Sequence, residues 1–278
     1  MLKQRVITAL VLLAFLLPAL FHPAVVPFAA LTLVLIAAAG WEWARLNGLG
    51  TGAALSLGIG LGVAMASLWW GALLQAWLPQ VWLVAGVAWF VLGAVLLRRG
   101  VACWVAWPRA ARLAGGMLLL AAAWLALVEA RRIGLVYLLS VMTLVWMADI
   151  AAYFGGKSFG RRKLAPSISP GKSWEGAISG FIGVCALAVF WLWFDSLWPD
   201  DSLSIFGVLQ GRGWPWLAAG MVLLTVMSVV GDLAESLVKR SAGVKDSSGL
   251  LPGHGGVLDR VDALLPVLPV ALMLTELP

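Results

Sequence analysis

The chain is 278 residues long, 62% hydrophobic and 12% charged, and its 19 Lys and Arg exceed its 13 Asp and Glu to leave a net charge of +6. Soluble domains carry about 25% charged and 45–50% apolar residues, so this charge cannot cover a water-facing surface, and a soluble globular protein is excluded. The mean hydropathy of +0.98 calls for lipid as solvent. The basic residues fall between apolar runs, which points to membrane topology and anionic ligands and leaves no nucleic-acid partner.

A helix needs about 20 apolar residues to cross the hydrocarbon core. In chain order nine stretches qualify: 6–22, 24–44, 53–74, 80–97, 113–130, 133–154, 176–195, 215–236 and 262–277. The expected fold class is therefore all-α, a polytopic membrane helix bundle of about nine transmembrane helices. The first stretch follows Met1-Leu2-Lys3-Gln4-Arg5 and resembles a signal peptide. No small-x-small cleavage site precedes Phe21-His22-Pro23, so a retained helix is expected. Pro266 and Pro269 predict a kinked or short last span. Cys103 and Cys185 lie far apart and read as packing residues, and the 17 Trp suit the headgroup level.

With the N-terminus in the cytoplasm, alternation places 16 of the 19 basic residues on the cytoplasmic side and leaves Arg131, Arg132 and Arg212 outside. Asp195, Asp200 and Asp201 then also lie outside. The acids are lopsided along the chain: Glu42 and Glu129 precede Asp149, and the remaining 11 of 13 follow. Residues 1–132 read as N-terminal membrane scaffold and residues 133–278 as catalytic membrane helices with cytoplasmic loops, within one continuous membrane domain. A homodimer would give the apolar first half a task. The compact chain suggests a bacterial inner membrane.

Three charged clusters carry the chemistry. The first runs from Asp149 to Gly176. Its Gly171-Lys172-Ser173 looks like the end of a P-loop, but G-x-x-x-x-G-K-S/T requires Gly where Pro166 stands. The run reads instead as a cytoplasmic loop of Gly, Ser and five basic residues suited to gripping phosphates. Ser173 or Ser169 is placed to cap the following helix, with Glu175 in its first turn.

In the second cluster Asp232, Glu235, Ser236 and Lys239 stand at i, i+3, i+4 and i+7, on one helix face. Ionisable residues at the end of an apolar span are functional candidates. The third cluster is the loop Lys245–Asp262. Glycines beside His254 allow close approach and leave N–H groups for anionic oxygens. Asp246, Asp259 and Asp262 offer the hard oxygens that Mg²⁺ prefers, and Lys239, Arg240, Lys245 and Arg260 offer charge for phosphates. Acids for metal and bases for phosphate within about 30 residues suggest metal-assisted nucleotidyl transfer. A charged re-entrant loop of a transporter has a similar composition. His254 reads as a hydrogen-bond donor or loop organiser rather than a base.

The run Ser236–Asp262 resembles the signature of the phosphatidate cytidylyltransferase family. It carries S-x-apolar-K-R (Ser236, Lys239, Arg240), then Lys245-Asp246, then P-x-H-G-G-apolar-x-D-R-apolar-D (Pro252, His254, Gly255, Gly256, Asp259, Arg260, Asp262). The upstream segment Asp149–Gly176 is also similar to that family, with Ser173 where Thr is commoner. The resemblance implies a bundle of membrane helices that uses Mg²⁺, with a monovalent cation such as K⁺ also implicated. Its substrates would be CTP and phosphatidic acid, drawn from the cytosol and from membrane lipid, and its products CDP-diacylglycerol and pyrophosphate. It implies Asp232 and Asp259 as leading metal ligands, with Asp246 and Asp262 as further candidates. The catalytic set is then Asp232, Asp259, Lys239, Arg240, Lys245, Asp246 and Arg260. The substrate-binding set is Asp149, Tyr153, Lys157, Lys163, Ser169, Lys172, Ser173, Glu175, His254, Gly255 and Gly256.

Two alternatives stand beside it. A membrane phosphotransferase on prenyl or alcohol lipids of the CDP-alcohol class expects D-G-x-x-A-R, which Gly231-Asp232-Leu233-Ala234-Glu235 does not continue. A non-enzymatic transporter predicts charges along several spans, whereas the acids here gather at the ends of the late ones.

Overall fold

The computed structural model describes residues 2–71, 74–198 and 202–277; Asp200 and Asp201, expected on the outer face, lie outside the described residues. In chain order the helices are α1 (Leu2–Phe21), α2 (Val26–Leu46), α3 (Thr51–Trp70), α4 (Leu78–Ala106), α5 (Arg109–Ile133) and α6 (Leu135–Phe159). A hairpin of β1 (Lys163–Ala165) and β2 (Ser169–Ser173) follows. Then come α7 (Trp174–Leu197), α8 (Ile205–Gly211), α9 (Trp214–Ser241), the single turn α10 (Leu258–Val261) and α11 (Leu264–Glu276). Among the described residues, eight helices are long and apolar enough to cross a membrane: α1 to α7 and α9.

The ninth expected span is shorter than the rest. The 13 residues of α11 extend about 20 Å at 1.5 Å per residue, less than the hydrocarbon thickness of about 30 Å. Pro269 lies inside it, and α11 is buried almost throughout, packed on α4, α5, α6, α8 and α9. It therefore serves as the core of the bundle rather than a lipid-facing helix.

Two ends of the bundle differ in chemistry. At one, Arg131 Nε donates to Leu20 O at 2.9 Å, the Tyr137 hydroxyl meets Thr275 at 2.8 Å, and Arg212 donates to Leu274 O at 3.2 Å. Asp195 sits at this end too, accepting from the Ser204 amide at 3.0 Å. The other end gathers the 245–262 loop, Glu42 of α2 and the N-terminal turn, where Thr8 Oγ1 donates to Pro252 O at 2.9 Å. The segregation of Arg131, Arg132 and Arg212 from the other basic residues thus has a spatial counterpart.

Helix packing positions the charged end. Gly176 and Gly180 of α7 face α6 so closely that a Cβ would stand 2.9 Å from Ala152 O and 2.8 Å from Ala148 O. Small residues four apart permit this approach, as in membrane helix pairs generally. In the same way a Cβ on Gly155 would stand 2.0 Å from Ser179 Oγ. The glycines of this segment therefore serve helix contact, and α6 continues to Phe159 instead of giving way to a loop after residue 154. Lys157 rides on the helix. The expected loop is confined to 160–173 and is a bulged antiparallel hairpin pairing Lys163 with Ser173 and Ala165 with Ser169.

Candidate functional site

A cleft of about 550 Å³ opens at the charged end between α6, α7, α9 and the hairpin. Asp149, Tyr153 and Lys157 line it from α6, Ser169, Lys172 and Ser173 from β2, and Asp232 from α9. Lys172 Nζ meets Asp232 Oδ2 at 2.5 Å, both side chains about a quarter exposed, and Ser236 Oγ donates to Asp232 at 3.3 Å. Ser173 Oγ accepts from the Gly176 amide at 3.1 Å and so caps α7, as its sequence position suggests. Glu175 accepts from the backbone amides of Arg161 at 3.0 Å and Arg162 at 3.1 Å. It braces the hairpin rather than facing the cleft, and Lys163 is exposed on the hairpin edge.

Asp262 is brought beside Asp232 by Gly231: a Cβ there would stand 2.3 Å from Asp262 O. The Asp262 carboxyl, which precedes α11, is pushed up to about 7, first by burial and then by the negative charge of Asp232, with Asp149 adding to it. Carboxylates that repel one another in a partly dry site favour a cation between them.

About 10 Å further along α9, two helical turns on, lies a second cluster. Lys239 Nζ pairs with Glu235 and with Asp259 Oδ1, the latter at 2.6 Å. Asp259 Oδ2 accepts from the Gly256 amide at 2.7 Å and from the amide and hydroxyl of Ser247, both at 2.9 Å. Burial alone raises this carboxyl; the Lys239 ammonium and the two amides outweigh it and hold it down at about 2. Arg260 donates twice to His254 O, at 3.0 and 2.7 Å, and Leu251 pairs with Gly255 across a β-bridge. The Gly256 amide, expected to be free for an anion, is therefore spent on Asp259. Arg240, Lys245 and Asp246 are exposed at the surface.

One participant escaped the sequence reading. Glu42, in the half expected to be scaffold, is fully buried and accepts hydrogen bonds from Val257, Leu258, Ser247 and Ser248 of the loop. A lone acid inside an apolar span was the available signal.

Among the described residues, no three His, Cys, Asp or Glu side chains gather closely enough to hold a metal by themselves. Mg²⁺ needs one or two carboxylates and takes its other ligands from water and phosphate. Asp232 and Asp259 each already hold an ammonium, at 2.5 and 2.6 Å, so both accommodate positive charge. The partly exposed Asp232 oxygens suit the ion, whereas Asp259 would have to exchange Lys239 or one of its amides for it.

The fold and cleft thus define a polytopic membrane protein with a cationic, carboxylate-bearing pocket at one end, suited to phosphate chemistry near a lipid surface. The chain matches the Cytidylyltransferase family over residues 3–277 and belongs to it. It is 39% identical to a phosphatidate cytidylyltransferase of Pseudomonas aeruginosa, over 97% of this chain and 95% of the relative. It is 38% identical to one of Haemophilus influenzae, over 97% and 96%. A phosphatidate cytidylyltransferase of Thermotoga maritima is 42% identical over 53% of this chain and 52% of its own length.

Proposed function

We propose that the chain is a phosphatidate cytidylyltransferase, moving CMP from CTP to phosphatidic acid to form CDP-diacylglycerol and pyrophosphate in phospholipid biosynthesis. The near-full-length similarity to relatives of that name carries this reading. The cleft supports it. Its apolar side, Leu164, Ala177, Thr225 and Val229, is shared with an apolar groove of about 600 Å³, so a headgroup and an acyl chain fit side by side.

In the reaction a phosphatidate oxygen forms a bond to the α-phosphorus of CTP. The bond from that phosphorus to the bridging oxygen breaks, and its electron pair leaves with pyrophosphate. The second pKa of a phosphomonoester is about 6, so the nucleophile is already anionic near neutrality and needs no strong base. Positioning and charge neutralisation remain as the protein's task. Lys172 and Lys157 on the cleft wall carry the charge, with the exposed Arg240 and Lys245 as further cations and Lys239 and Arg260 holding Asp259 and the His254 carbonyl in place; Ser169 and Tyr153 orient the substrates. Asp232 and Asp259 would hold Mg²⁺, with Asp246 and Asp262 as further oxygen donors and K⁺ as a second cation. Such an ion, when bound, neutralises triphosphate charge. The charged end and the N-terminus face the cytoplasm of a bacterial inner membrane, where CTP is present, and two copies pair as a homodimer.

Detergent-purified protein given CTP labelled in its cytosine ring, phosphatidic acid and Mg²⁺ is expected to move label into the lipid phase with equimolar pyrophosphate. Label that stays aqueous with folded protein contradicts the reading.

A further inference from the structure

Among the described residues, Glu42 stands apart from every other acid. It sits in the last turns of α2, is 0% exposed, and makes its contacts more than 200 residues away. Oε1 accepts from Ser248 Oγ at 2.5 Å and from the Val257 amide at 2.9 Å. Oε2 accepts from Ser247 Oγ at 3.2 Å and from the Leu258 amide at 2.8 Å. A carboxylate is acceptor-only, with two equivalent oxygens, so it satisfies the two amides and the Ser248 hydroxyl and shares the single Ser247 hydroxyl hydrogen with Asp259, which no neutral side chain of the same length could.

We propose that Glu42 is a positioning residue for the transfer reaction, tying the 247–258 loop to α2 so that Asp259 and Lys239 keep their places; this rests on the cytidylyltransferase reading. The connection is short. Ser247 Oγ touches both Glu42 Oε2 and Asp259 Oδ2, and the two amides that Glu42 holds begin the turn that carries Asp259. Gly256 fits the same arrangement: a Cβ there would stand 2.3 Å from Glu42 Oε1 and 2.0 Å from Ser247 Oγ. Its missing side chain makes room for the glutamate. Glu42→Gln keeps the volume but turns an NH₂ donor towards N–H or O–H donors, leaving buried groups unpaired.

Wild-type protein is assayed first, so that absence of turnover counts against the transferase reading and not against the anchor. Glu42→Gln is expected to lower kcat about 30-fold while KM for CTP stays within about threefold, the pattern of a misplaced catalytic group. In nucleotide-free protein without added metal, hydrogen exchange at Ser247, Val257 and Leu258 should rise about tenfold or more, while α9 and α11 keep their protection. Gly256→Ala should give the same two effects, and the double variant should be scarcely worse than either single one, because both disturb one contact. Ser248→Ala, which removes a single donor, gives a milder form should Glu42→Gln fail to fold. Glu129→Gln, a control that loses the other acid of the first half, should change neither readout. The proposal is overturned if Glu42→Gln, or in its place Ser248→Ala, leaves kcat and loop exchange within about twofold of wild type. It is also overturned if exchange rises equally throughout the bundle or if the double variant is fully additive.

Discussion

The cleft between α6, α7 and α9 and the 245–262 loop hold the same kinds of residue and use them differently. In the cleft, Lys172 and Asp232 are partly exposed and meet chiefly each other, so a ligand can compete for both. In the loop, Asp259 is committed to Lys239 and to the Gly256 and Ser247 amides, and Arg260 to the His254 carbonyl. A charged motif read as binding surface is thus, in its second half, mostly a frame. Charge that is satisfied within the chain shapes a site; charge left half-satisfied at its edge is available to substrate.

That contrast can be broken most directly in the cleft. Asp232→Asn is expected to lower kcat about 10³-fold with an unchanged melting temperature, because it removes charge where phosphates gather and takes away no packing. Lys172→Gln should follow at about 10²-fold in kcat/KM, with Lys172→Arg recovering part of it. Equal activity of either variant with wild type would move the chemistry out of the cleft. Gly180→Val probes the walls: the added side chain meets Ala148 O, and a loss of about 1–3 kcal/mol in stability is expected from thermal melts in detergent.

Much of this was legible in the sequence. The face formed by Asp232, Glu235, Ser236 and Lys239 could be read because helical spacing is regular, and α9 carries all four. The Ser173 cap was equally plain. Three features were not. Gly155 and Gly156 look like loop residues, yet α7 packs tightly enough to keep them helical. The hairpin 163–173 is too short and polar to show a strand period. Glu42 has no spacing partner in its own segment; its donors lie on the far side of the chain, and only the folded bundle brings them together. The shortened α11 was half visible, in Pro266 and Pro269.

Two smaller effects sharpen the contrast. Asp259 has a folded pKa of about 2, below its ordinary 3.8. A depressed carboxylate stabilises the fold above its unfolded value and loses that contribution as pH falls through the folded one. Melting temperature should therefore hold steady from about pH 8 to about pH 5 as far as this group is concerned, and its support should fade between about pH 4 and 2. Asp259→Asn should remove that acid limb. Least affected should be Lys163→Ala: its side chain is exposed on the hairpin edge, and activity within about twofold of wild type is expected.

The most direct test of the whole account follows phosphatidic acid and CTP by phosphorus NMR, with wild-type and Asp232→Asn protein side by side in detergent. The account predicts a pyrophosphate-linked lipid diester and free pyrophosphate, growing together in the wild type and absent from the variant. A folded wild type that leaves both substrates intact, or a variant that consumes them at the wild-type rate, would contradict it.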